Sequence, residues 1–132
     1  MTWLENFIKN KRIKTLLSAK RFLIATLLYL RGDMIMSQLR KATGLSWGDL
    51  ESNIRTLEEY GIVVSRKIIT LNGPRTIIYL TPHGIEAYEQ LASLLRGVIN
   101  DISNKTKKSK TSNDSYEATF QSYKQNGIQS IK

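Results

Sequence analysis

Apolar residues recur along the chain at several spacings, and each spacing predicts an element. Between Ser46 and Gly61, Leu50, Ile54 and Leu57 fall at i, i+4 and i+7, the buried stripe of a short helix. Ser46 can cap that helix, its hydroxyl accepting a backbone N–H left free in the first turn. Gly61 can end it in the left-handed conformation. Just upstream, SQLRKATG reads as a second short helix, with Ser37 as cap, Leu39 and Ala42 as the buried side and Gly44 as the stop. The turn Thr43-Gly44-Leu45 joins the two, which is a helix-turn-helix pattern. The same pattern also occurs in small helical domains that touch no nucleic acid.

Before this pair, Thr2 and Glu5 stand at capping-box spacing. Trp3, Leu4, Phe7 and Ile8 give an apolar side to a first helix, followed by Lys9, Lys11, Arg12 and Lys14. Such a segment can dock on the body, on a second subunit, on a DNA backbone or on a membrane. Ser18 caps the next predicted helix, Ala19 to Leu30, with Leu23, Ile24, Leu27, Leu28 and Leu30 as core candidates. Gly32 and Asp33 break it, and Met34-Ile35-Met36 is long enough only for a very short strand.

After Gly61 the pattern turns β-rich, from Ile62 to Leu71, and Asn72-Gly73 predicts a hairpin. Pro74 excludes a ladder hydrogen bond at its position, and Arg75 to Leu80 is the return strand. The alternation is uneven, so it predicts the hairpin more firmly than its register. Arg66, Lys67, Asn72, Arg75 and Thr76 mark the tip region. Thr81 and Pro82 open a long helix to about Ile102, Thr81 as cap and Pro82 at the first helical position. Along it Ile85, Tyr88, Ala92, Leu95, Ile99 and Ile102 recur at alternating spacings of three and four, a heptad-like seam. Leu91, Leu94 and Val98 widen the apolar side further. That width suggests a C2 dimer, with Trp3 and Phe7 of the first helix joining the interface. The alternative is packing on the Ala19 helix of the same chain. From Ser103 the chain turns polar and lysine-rich, as a flexible segment does. Beyond it Tyr116, Phe120 and Tyr123 allow a short amphipathic helix between Asp114 or Ser115 and Gly127.

Charge sharpens this picture. The chain of 132 residues carries a formal +9. Residues 1–31 hold seven Lys/Arg against Glu5 alone, a net +6; residues 32–102 are at −1; residues 103–132 are at +4. The excess lies at the two ends and fits a polyanionic partner, most often nucleic acid. With no cysteine and a single histidine, His83, the sequence offers no thiolate zinc site, no nucleophilic triad and no metal centre. Neither a Walker loop nor a GxGxxG turn is present, so catalytic residues and cofactors are expected to be none. The longest apolar run, Phe22 to Leu30, is too short to span a bilayer, and a cytoplasmic, membrane-free protein is expected.

The order of helix, short strand, helix, turn, helix, hairpin and long helix is that of a winged helix-turn-helix. The sequence resembles the small MarR-like and PadR-like winged-helix transcription regulators, including the archaeal ones. The resemblance rests on Leu39 to Ser46, on Leu50 through Leu57-Glu58-Glu59-Tyr60-Gly61-Ile62-Val63, and on Tyr79-Leu80-Thr81-Pro82-His83-Gly84. It covers about residues 18–100. It implies an α+β, mainly α fold and a homodimer whose second helices read two half-sites of double-stranded DNA. By position it places Ser46, Trp47, Gly48, Asp49, Ser52, Asn53 and Thr56 toward the groove and Arg55 near the backbone. Gln38 and Lys41 would approach phosphates from the preceding helix, and Ser37 at its start is a further DNA-binding candidate. Arg66, Lys67, Asn72, Arg75 and Thr76 would belong to the wing, residues 66–76, which the resemblance places on the flanking backbone or minor groove. Trp47 and Asp49 depart from the small or basic residues usual at a phosphate-facing helix start.

The expected organisation is residues 1–17 as a basic amphipathic helix, 18–102 as the winged helix-turn-helix domain with its long C-terminal dimerisation helix, and 103–132 as a basic flexible tail. A sequence-specific regulator is the leading expectation. A sequence-blind architectural DNA binder, or a winged helix that contacts proteins through Asp49, Glu51, Glu58 and Glu59, are the alternatives. No effector is legible.

Overall fold

The computed structural model describes residues 2–108, which form six helices and three strands among them: α1 (Thr2–Lys9), α2 (Lys11–Leu16), α3 (Ala19–Arg31), β1 (Met34–Ile35), α4 (Met36–Thr43), α5 (Trp47–Glu59), β2 (Val63–Thr70), β3 (Gly73–Leu80) and α6 (Pro82–Lys108). The chain divides after Leu95 into two compact units. The predicted helix between Asp114 or Ser115 and Gly127 lies outside the described residues.

The first unit is a winged helix. Its strands order as β1-β3-β2, all antiparallel, with Val63 opposite Leu80 and Thr70 opposite Gly73 in the hairpin. β1 adds only Met34 and Ile35, opposite Ile78 and Ile77. One core gathers Ile13 and Leu16 of α2, Ile24, Ala25 and Leu28 of α3, Leu39 of α4, Leu50, Ile54 and Leu57 of α5, Ile62, Val63, Ile78, and Ala87, Leu91 and Leu94 of α6. The stripe of α5 is therefore buried as its spacing predicts.

The punctuation of α5 follows from local chemistry. Ser46 Oγ accepts the N–H of Asp49 at 3.1 Å. At the other end Gly61 turns left-handed at φ 68°, so the N–H of Ile62 reaches Leu57 O and that of Gly61 reaches Glu58 O. This paired closure, with Leu57 and Ile62 both fully buried, is a Schellman motif. Gly44 likewise ends α4 at φ 71°.

Several expectations change. The first 17 residues form two helices, not one, because the Asn10 side chain accepts the N–H of Ile13 and starts α2 afresh. Ser18 holds the cap position of α3 in extended backbone, but its side chain makes no capping bond. Leu23 and Leu30 are exposed, because the inward stripe of α3 runs through Ile24, Ala25 and Leu28. Ser37 lies inside α4, not at its cap. Ile35 takes that position, its N–H accepted by Gln38 Oε1 at 3.2 Å. Ala42 is exposed, since Met36, Leu39 and Thr43 form the inward side of α4. The hairpin turns one residue early, on Leu71-Asn72, because no residue but glycine takes a positive φ among the described ones and Gly73 supplies it at 101°. Helix α6 continues past Ser103 to Lys108, with no Gly or Pro there to stop it and with Lys105, Lys107 and Lys108 in its last turn, where cations favour a helix end.

Candidate nucleic-acid interface

At 100° per residue, the buried stripe of α5 fixes where every other side chain of that helix points. Directly opposite Leu50, Ile54 and Leu57 lie Gly48, Ser52, Arg55 and Glu59, all exposed. One flank carries Trp47, Glu51 and Glu58. The other carries Asp49, Asn53 and Thr56.

The Asp49 flank is tied to the start of α3. Lys20 Nζ meets Asp49 Oδ2 at 2.8 Å in a half-exposed ion pair. Arg21 Nη1 donates to Asn53 Oδ1 at 3.3 Å, and Asn53 Nδ2 donates to Asp49 O at 2.8 Å. Asn53 is half-buried with both ends of its amide engaged. Thr56 is half-buried too, its hydroxyl donating to Ser52 O at 3.2 Å. Of the residues the sequence assigns to the outward face, the structure therefore turns Asp49, Asn53 and Thr56 aside and leaves Gly48 and Ser52 in front. Arg55, expected near the backbone, stands beside them.

The Trp47 flank opens on the wing. A groove of about 510 Å³ lies between them, lined by Ile35, Met36, Ser37, Trp47, Glu51, Lys67, Pro74, Arg75 and Thr76. Trp47 is held by Arg40, whose guanidinium carbon lies 5.1 Å from the indole centroid. Arg40 Nε is buried without a hydrogen-bond partner among the described residues, so stacking is what the fold offers this cation. The Ser65 hydroxyl donates to the Glu58 carboxylate and ties the wing root to α5.

Strand register sorts the wing by face. Val63, Ser65, Lys67 and Ile69 share one face with Leu80, Ile78, Thr76 and Pro74. Since Val63 and Ile78 are buried, this face looks inward at its root and lines the groove further out. Arg66 belongs to the other face, where its guanidinium lies 5.6 Å from the Tyr79 ring centroid. Arg75 starts on that face as well, but its Nη1 bonds to Pro74 O at 2.9 Å and it reaches the groove. Asn72 is exposed in the turn and Lys41 is exposed on α4, while Gln38 is engaged with Ile35.

The structure thus brings Ser37, Trp47, Lys67, Arg75 and Thr76 together around one groove, beside the exposed line Gly48-Ser52-Arg55. Sequence reasoning missed Lys20 and Arg21, which flank α5 only through the fold, and Arg40, whose spacing of seven from Trp47 spans a turn and two helices. Among the described residues no three His, Cys, Asp or Glu side chains gather as metal ligands. No helix among them is long and apolar enough to cross a membrane.

A two-helix reader with a basic hairpin beside it is the arrangement of a winged DNA-binding helix, and the model of the winged helix DNA-binding domain family matches residues 20–99. The chain belongs to that family. It is 32% identical to a transcriptional regulator homologue from Pyrococcus horikoshii, over 77% of this chain and 98% of that one, with a TM-score of 0.68. A transcriptional regulator of the MarR family from Enterococcus faecalis shares its fold at a TM-score of 0.64, 24% identical over 73% of this chain and 86% of that one. So does BpsR of Bordetella bronchiseptica, whose DNA binding 6-hydroxynicotinic acid regulates, at a TM-score of 0.54, 16% identical over 76% of this chain and 67% of that one. Among curated proteins there is no match to the chain. This winged helix therefore has the fold of a DNA-binding transcriptional regulator.

Proposed function

We propose that the chain is a homodimeric, sequence-specific transcription regulator that lays α5 in the major groove of duplex DNA. The observation that carries this reading is the exposed line Gly48-Ser52-Arg55, with cations on both sides of it. Arg21 stands on one flank, with Lys20 beside it held by Asp49, and Lys67 and Arg75 stand on the other. Small side chains in front let a helix approach base edges closely, and Arg55 supplies the donor fork that suits guanine. Cations on either side meet the two phosphate strands bordering the groove and set the register.

The dimer rests on α6. Its core face is Gly84, Ala87, Leu91 and Leu94. The predicted seam lies on a different line of the same helix and divides: Tyr88 stacks on Phe22 and Tyr29 of α3 and donates to Thr26 Oγ1 at 2.9 Å, Leu95 packs partly on the core and Ala92 is half-buried, whereas Ile85, Ile99 and Ile102 are exposed. Trp3 and Phe7, expected at the same interface, pack partly on the core of their own chain, with Leu4 and Ile8 exposed beside them. Apolar groups left uncovered at this spacing suit a second copy of the helix.

A hydroxyl-radical footprint of the full chain on a duplex selected from random sequence tests the reading. Two protected half-sites one helical turn apart are expected. Uniform protection with no repeat would remove the base-reading dimer.

A further inference from the structure

The wing ends in an apolar point. Ile69 and Leu71 show 92% and 107% of their full exposure, whereas the next most exposed large apolar residue among the described ones, Leu30, shows 73%. Ile69 stands opposite Pro74 across the hairpin, and Leu71 sits in the turn itself. The point is stiff. Thr70 Oγ1 donates to Gly73 O at 2.7 Å, and the ring of Pro74 locks its own φ.

Two observations say what it meets. From Tyr60 to Ile85 the chain holds no Asp or Glu, while Arg66, Lys67 and Arg75 all lie on the hairpin. An aliphatic tip on a hairpin whose own charged residues are all cations is complementary to a polyanion with an apolar interior. The second is reach. β1 pairs no further out than Ile77, so the hairpin projects four residues beyond the third strand, about 13 Å at the usual rise per strand residue. A minor groove is roughly 7.5 Å deep. The tip can therefore reach its floor while Lys67 and Arg75 stay at the phosphates of its rim.

We infer that the wing tip is a wedge for the minor groove: Leu71, backed by Ile69 and Pro74, enters beside the α5 site, opens a base step and bends the duplex. Aliphatic side chains pushed between base steps unstack and kink DNA in this way. The inference rests on the reading of α5 as a DNA-binding helix. It adds a preference that no hydrogen bond carries, because TA and CA steps open most readily.

The test uses the full chain and the duplex chosen by selection, with 2-aminopurine placed in turn at each step flanking the protected half-sites and a donor–acceptor dye pair on the duplex ends. Wild type is expected to raise the fluorescence at one flanking step and to shorten the end-to-end distance. I69S/L71S, altered only at exposed positions, is expected to melt as wild type does, to bind about tenfold more weakly and to lose both signals. Binding by wild type with neither signal would overturn the wedge and leave the reading of α5 standing; no binding at all would overturn both. A change in the DNA-free oligomeric mass of I69S/L71S would make the tip a contact between copies and overturn the wedge as well.

Discussion

A Cβ on Gly84 would stand 2.0 Å from the carbonyl oxygen of Ile62 and 2.9 Å from its carbonyl carbon. The first turn of α6 thus lies directly on the backbone that closes α5. The contact is bonded as well as tight: Thr81 N–H reaches Ile62 O at 3.0 Å, and Gly84 N–H reaches the Thr81 hydroxyl at 2.9 Å. One junction fixes the end of the reader, the root of the wing and the start of the last helix.

Gly84→Ala is therefore expected to destabilise the fold by about 3 kcal/mol, at the upper end of overpacking costs, because backbone cannot yield as a side chain does. Calorimetry measures it. Melting within a degree or so of wild type would mean that α6 does not rest on Ile62.

The Lys20–Asp49 ion pair is half-exposed on both sides, so it adds little stability, of order 0.5 kcal/mol. Its effect is expected on DNA instead. Asp49→Asn removes an anion beside the reader and frees Lys20 for a phosphate. Tighter binding should follow, with a salt slope steeper by about 0.9. Titrations at several salt concentrations check both, and weaker binding would show that the carboxylate itself serves the complex.

Substitutions on α5 and the wing should divide by direction. Arg55→Ala is expected to cost about 1–3 kcal/mol and to relax preference at one base pair, and Ser52→Ala to alter preference nearby. Lys67→Ala should weaken all sequences alike. Asn53→Ala, whose amide is engaged with Arg21 and Asp49, should leave base preference unchanged. Selection from random duplexes with each variant reads these outcomes, and a new preference in the Asn53 variant would contradict the geometry.

Ile99 and Ile102 are well exposed on α6. Carboxylates there put charge into the proposed seam without touching the core. Ile99→Glu with Ile102→Glu is expected to give a monomer in sedimentation, with melting changed only by the loss of association. A dimer that persists would place the interface elsewhere.

The helix ends were legible wherever one residue decides them: Ser46, Gly44, Gly61 and Thr81 each act through their own backbone or nearest turn. The stripe Leu50-Ile54-Leu57 was legible because burial follows helical period. What was not legible depends on neighbours brought by folding. Asn53 looks like a base reader on a bare helix, but Arg21, 32 residues away, takes its carbonyl. Arg66 and Lys67 look alike in sequence, yet the strand pleat sends them to opposite faces. Asn72-Gly73 announced the hairpin correctly, but the positive φ at Gly73 alone moved the turn back by one residue. Ser37 lost the cap of α4 because Gln38 reaches the Ile35 N–H.

The most direct test of a base-reading regulator is a titration of the full chain against its selected duplex and a scrambled duplex of the same composition, at several salt concentrations. Discrimination of about a thousandfold or more with a moderate salt slope is the expected result. Equal binding to both with a steep slope would contradict base reading and leave a phosphate binder, and no binding to either would contradict the DNA interface on α5 altogether.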